Sequence, residues 1–124
     1  MATIKSYTDL EQSKVLSKIL QVESADMFYV AGKGEPIFIG SKMVAYGDDD
    51  YDALGGPDVL CWSLAALLSV LPDGTDIVKD KADTENEKYM CTVGVKDDII
   101  STFGNNPVDA CYEMILKLNE LKIL

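Results

Sequence analysis

A chain of 124 residues is the size of one domain and long enough to bury a core without metals or disulfides. Hydrophobic residues make up 48% and charged residues 26%, a globular composition that argues against disorder over most of the length. Eleven Lys plus Arg against twenty-one Asp plus Glu give a net charge of −10, which argues against direct binding to nucleic-acid phosphates or anionic membranes and leaves room for a basic protein partner.

The start, MATIKSYTDLEQ, has no apolar stretch behind a basic one, so it does not read as a signal peptide, and a cytoplasmic location is expected. Thr8-Asp9-Leu10-Glu11 has the form of a capping box. It predicts a first helix capped by Thr8 and running through Leu20. Val15, Leu16, Ile19 and Leu20 would face the core, with Glu11, Lys14 and Lys18 outside. After Asp26 the pattern changes to short apolar runs, MFYVA, PIFIG and MVAYG, punctuated by Gly32, Gly34, Pro36, Gly40 and Gly47. These read as strands and turns. GDDDYDALGGPD, Gly47 to Asp58, reads as a loop.

CWSLAALLSVLP, Cys61 to Pro72, contains no charge. With Pro57 or Asp58 in a first turn and Pro72 at the end, it predicts a second helix over Val59–Leu71. Its apolar residues point all the way round, so this helix should be central and covered on most sides. Bounded by Asp58 and Asp73, it is too short to cross a bilayer. Asp73 to Lys88 is polar, with a short strand expected at Thr75–Val78 and weak order in KDKADTENEK. Tyr89 to Val95 alternates so that Tyr89, Cys91, Val93 and Val95 share one face, and Lys96-Asp97-Asp98 turns it into Ile99–Phe103, a β-hairpin. Asn106-Pro107-Val108-Asp109 places an N-cap, Pro at N1 and an acid in the first turn. The third helix should run to about Lys122, with Ala110, Cys111, Met114, Ile115, Leu118 and Leu121 inward and Asp109, Glu113, Lys117 and Glu120 outward. Locally paired strands mixed with about three helices predict a single α+β domain with an antiparallel sheet.

Chemistry is sparse. The chain has no histidine, which removes Cys-His and Ser-His pairs, His acid/base work and His-bound metals. Cys61, Cys91 and Cys111 lie far apart with no CxxC and read as buried reduced thiols. Asp48-Asp49-Asp50-Tyr51-Asp52 lacks the ligand order of an EF-hand and reads as a solvated turn. Gly32-Lys33-Gly34 is too short for a phosphate loop. Trp62 reads as core packing whose N–H needs a partner. Tyr29, Tyr46, Tyr51, Tyr89 and Tyr112 lack the basic interleaving of a nucleic-acid platform. No catalytic, cofactor-binding or metal-ligating residue is assigned.

Three blocks, YTDLEQSKVLSKIL-QVESADM, CWSLAALLSVLP and NPVDACYEMILKL, together resemble a family of short uncharacterised proteins encoded by gut-bacterial genomes, their prophages and mobile elements. The resemblance covers somewhat under half the chain. It implies a host context and element boundaries, and brings no activity, cofactor or catalytic residue. The expectation is a non-enzymatic phage or mobile-element accessory protein, acting through contact with a protein partner or as a homodimer. The alternatives are an acidic DNA mimic that inhibits a nucleic-acid-binding protein, and a small carboxylate-based hydrolase.

Overall fold

The computed structural model describes residues 5–29, 36–38, 59–80 and 88–124. Among them the chain runs α1 (Leu10–Leu16), a 3-10 turn (Val22–Ser24), β1 (Met27–Tyr29), β2 (Pro36–Phe38), β3 (Val59–Cys61), α2 (Leu64–Val70), β4 (Asp76–Asp80), β5 (Lys88–Val95), β6 (Asp98–Gly104) and α3 (Pro107–Glu120). Two antiparallel sheets form, in the orders β2-β1-β3 and β4-β5-β6, so the fold is α+β. The expected runs at Met43–Gly47 and Gly47–Asp58, the turn Gly32–Gly34 and the acidic stretch Asp48–Asp52 lie outside the described residues.

The first helix starts one residue later than its box predicts and stops at Leu16. Asp9 is the N-cap: it accepts from the Gln12 amide at 2.8 Å, and the Gln12 side chain accepts from the Asp9 amide at 3.1 Å. Thr8 is unavailable for capping because its backbone belongs to an extended crossing. Its N–H donates to the Trp62 carbonyl at 2.9 Å, and Tyr7 bridges Ser63. Of the expected inward arc, Leu16 is fully buried and Ile19 and Leu20 are partly buried, while Val15 points out.

The second helix is a correction. Val59–Cys61 is a strand, paired with β1 so that Cys61 faces Met27 and Leu60 faces Phe28. The helix begins only at Leu64, after Ser63. Ser63 is its N-cap, its hydroxyl oxygen accepting from the Ala66 amide at 3.2 Å. Nor is the helix covered all round. Ala66 and Leu67 are buried, whereas Ala65, Leu68 and Ser69 are exposed, and α2 packs on α3 and the Val22–Ser24 turn. Trp62, just before it, is fully buried and its indole N–H donates to Ser24 Oγ at 2.9 Å, which supplies the partner that a buried indole requires.

The hairpin and last helix form as their sequences predict. Cys91 and Val93 of β5 are buried, with Tyr89 and Val95 partly so, and β6 pairs through Val95↔Asp98 to Tyr89↔Gly104. The expected strand at Thr75–Val78 lies at Asp76–Asp80, and Lys79, Asp80 and Lys88 of the segment expected to be weakly ordered are sheet residues. Residues 81–87 lie outside the described residues. α3 takes Asn106 as N-cap, with the Asp109 amide donating to its Oδ1 at 2.8 Å and Pro107 in the first turn. It buries Val108, Ala110, Cys111, Met114, Ile115 and Leu118 against the sheet and α2, while Leu121 is exposed. The helix ends before Leu121 because the chain reverses in a Schellman turn. Lys122 adopts φ 62°, and the Ile123 amide donates back to the Leu118 carbonyl at 2.8 Å.

Candidate functional site

Three polar arrangements and one apolar surface are the places where chemistry could reside. The first is a lysine hub that ties the starts of α1 and α3 together. Lys5 Nζ donates to Asp9 Oδ2 at 3.0 Å, Asp109 Oδ1 at 2.9 Å and Gln12 Oε1 at 2.7 Å. Gln12 Nε2 also donates to Asp109 Oδ1 at 2.9 Å, and Asn106 Nδ2 to Asp109 Oδ2 at 2.9 Å. Partial burial pushes the pKa of each carboxyl up. For Asp109 the hydrogen bonds from Lys5 and Gln12, and for Asp9 those from the Gln12 amide and Lys5, outweigh burial and hold both below the ordinary aspartate range. A carboxylate pair working as acid and base needs its two pKa values pushed apart. Here both move the same way, and the geometry gives each a helix to hold: Asp9 is the N-cap of α1 and Asp109 lies in the first turn of α3. Beside it lies a groove of about 590 Å³ lined by Gln12, Thr102, Phe103, Gly104, Asp109 and Glu113.

The second arrangement joins Asp26 to Ser63. The Ser63 amide donates to Asp26 Oδ1 at 2.9 Å and its hydroxyl donates to Asp26 Oδ2. Because the same hydroxyl oxygen caps α2, the pair fixes the β3–α2 junction. The third is a buried knot around Thr8. Thr8 Oγ1 and Ser13 Oγ are 2.7 Å apart, the Trp62 amide donates to Thr8 Oγ1 at 3.2 Å, and the Tyr29 hydroxyl donates to the Thr8 carbonyl at 2.6 Å. Cys61 sits in the same knot, its thiol 3.4 Å from the Thr8 carbonyl. Burial raises the Cys61 and Tyr29 pKa values, so both stay neutral at physiological pH.

All three cysteines are buried free thiols, and Cys91 on β5 is hydrogen-bonded to Cys111 on α3. Cys111 is pushed well up by that bond and by burial, the opposite of what a reactive thiolate needs. Trp62 is core, Tyr29, Tyr89 and Tyr112 are half-buried, and Tyr46 and Tyr51 lie outside the described residues. Among the described residues no group of three or more Cys, Asp or Glu is placed to hold a metal ion. No helix among them is long and apolar enough to cross a membrane.

The apolar surface is the outward face of β4-β5-β6, opposite the face that α3 covers. Register places Val78, Met90 and Phe103 in one row across the three strands, with Ile99 opposite Gly94 nearer the turn. Ile99 is 74% exposed, Phe103 52% and Val78 49%. Isolated apolar residues on a surface need no explanation, but a cross-strand row of them is a candidate interaction surface. Sequence reading assigned the inward set of this hairpin and passed over the outward one. The available signal is the second alternation, Ile99, Ser101 and Phe103 at every second position on a strand with no charge after Asp98. No family model matches the chain, and neither a curated protein nor a solved structure does.

Proposed function

We propose that this protein is a non-enzymatic accessory protein of a phage or mobile element, held in the bacterial cytoplasm, which acts by contact with another protein through the open face of β4-β5-β6. The host context rests on the sequence resemblance. The mode of action rests on one observation, the row of exposed Val78 and Phe103 on either side of half-buried Met90, with exposed Ile99 beside it. Covering apolar area is worth roughly 25 cal/mol per Å², so a few such side chains supply a binding core while the surrounding charges set orientation. The polar clusters cap helices and join strands, whereas this row has no such duty among the described residues.

The test is a capture experiment with the purified full-length chain and its Ile99→Lys/Phe103→Lys double variant as baits against host extract. Both positions are exposed, so the variant should keep its circular dichroism spectrum and melting temperature. Proteins retained by the parent and lost with the variant support the reading. Identical retention by both baits, or no retention by either beyond a blank matrix, refutes it.

A further inference from the structure

We infer that the β6 edge pairs with a second copy of this chain, antiparallel about Ser101, to make one continuous six-stranded sheet. This deepens the protein-contact reading and rests on it. Two edges bound the sheet, β4 and β6. β4 carries Asp76, Lys79 and Asp80 in five residues, the charged composition that discourages edge pairing. β6, DIISTFG, has no charge after Asp98, no proline, and a regular one-to-one register with β5 along its whole length. No backbone hydrogen bond among the described residues uses its outer side, and a groove opens beside its last three residues, Thr102–Gly104.

What selects a second copy is the self-complementarity of the strand. A twofold axis at Ser101 sets Ile99 opposite Phe103 of the other copy, Ile100 opposite Thr102, and Ser101 opposite Ser101. The two exposed apolar residues thus cover each other on the outward face. Asp98, the strand's one charge, meets Gly104 beside Asp109 and Glu113, so like charges gather only at the two ends of the join and its centre is uncharged. The rows also become continuous: Val78, Met90 and Phe103 of one copy run on into Ile99 of the next. The cost is repulsion between two chains of net charge −10, which salt screens. Association should therefore strengthen as ionic strength rises.

Sedimentation equilibrium of the unmodified chain tests the stoichiometry, and cysteine cross-linking tests the register. The expected mass is twice 13.6 kDa at micromolar concentration in moderate salt, falling toward 13.6 kDa in low salt. The three native cysteines are buried and stay out of the reaction. Under mild oxidant Ser101→Cys should form a disulfide dimer, because directly opposed residues lie about 5 Å apart at Cα. Ile99→Cys alone should not, since its own counterpart lies four positions away, about 13 Å along the strand. An equimolar mixture of Ile99→Cys and Phe103→Cys should cross-link as the heterodimer. A monomer at every salt concentration, or cross-linking of Ile99→Cys with itself in place of Ser101→Cys, overturns the inference. Should that happen while the capture experiment still shows losses confined to the lysine variant, only the second copy falls; failure of the capture experiment removes the protein-contact reading itself.

Discussion

Gly104 closes β6 where α3 begins, and its substitution tests how tightly helix and sheet are joined. A Cβ built on Gly104 would lie 2.5 Å from the Ala110 nitrogen, and 2.8 Å from both the Asp109 carbonyl carbon and the Asp109 Cβ. Two of these three atoms are backbone in the first turn of α3, and the third is fixed to it, so no side-chain rotation relieves the clash. That turn is also held by Asn106, Lys5 and Gln12 around Asp109, and by the Thr102 hydroxyl of β6, which donates to the Ala110 carbonyl at 2.8 Å. Gly104→Ala must therefore move the helix off the sheet that buries Cys111 and Ile115. Overpacking of this kind costs about 1–3 kcal/mol. At roughly 2 cal/mol/K of unfolding entropy per residue, each kcal/mol lowers the melting temperature of a chain this size by about 4 °C, so the expected fall is about 4–12 °C. Gly94 on the same hairpin is the control, because nothing lies within 4 Å of a Cβ built there. Thermal melts followed by circular dichroism should show Gly94→Ala near the parent and Gly104→Ala well below it. Equal melting temperatures for the parent and Gly104→Ala would refute the close approach of β6 and α3.

Leu67→Ala should cost about 2–5 kcal/mol in denaturant unfolding, as expected for a fully buried leucine, while exposed Leu68→Ala should cost much less; equal losses would mean that α2 presents a different face. Lys122→Gly should stabilise the chain by up to about 1 kcal/mol, since Lys122 holds the left-handed position of the turn after α3 that glycine occupies without strain, and a loss of stability would argue against that turn. Because the Asp9 and Asp109 pKa values are lowered on folding, their contribution is present above the unfolded value near 3.8 and is lost as pH falls through the folded value. Asp109→Asn should therefore weaken stability at pH 7 by about 1 kcal/mol or less, as for other partly exposed ion pairs, and flatten the acid limb of a stability–pH curve; an unchanged acid limb would refute the Lys5 hub.

Where local chemistry decides the outcome, the sequence is a sufficient guide. Asn106-Pro107 starts α3 because cap, proline and acid each satisfy the same turn, and the Tyr89–Val95 alternation survives because nothing competes with a two-residue turn between adjacent strands. Elsewhere tertiary partners override the local signal. Thr8 fits a capping box, but its pairing with Trp62 draws it into the core and passes the cap to Asp9. Val59–Cys61 continues an apolar helical pattern, yet β1 claims it as a strand, and Ser63 is the cap. The Lys5 hub joins residues about a hundred positions apart, as Lys5 and Asp109 show, and no spacing rule reaches across that distance. The outward row of the hairpin was visible in principle.

Hydrogen exchange measured peptide by peptide, on a dilute sample and on a concentrated one in moderate salt, tests most directly whether the hairpin sheet is the contact surface. Protection should rise with concentration in peptides covering Asp98–Gly104, while β1 and β3 exchange identically in both samples. Protection of β6 that is independent of concentration, or a concentration-dependent rise confined to another element, would contradict the assignment of this sheet as the interface.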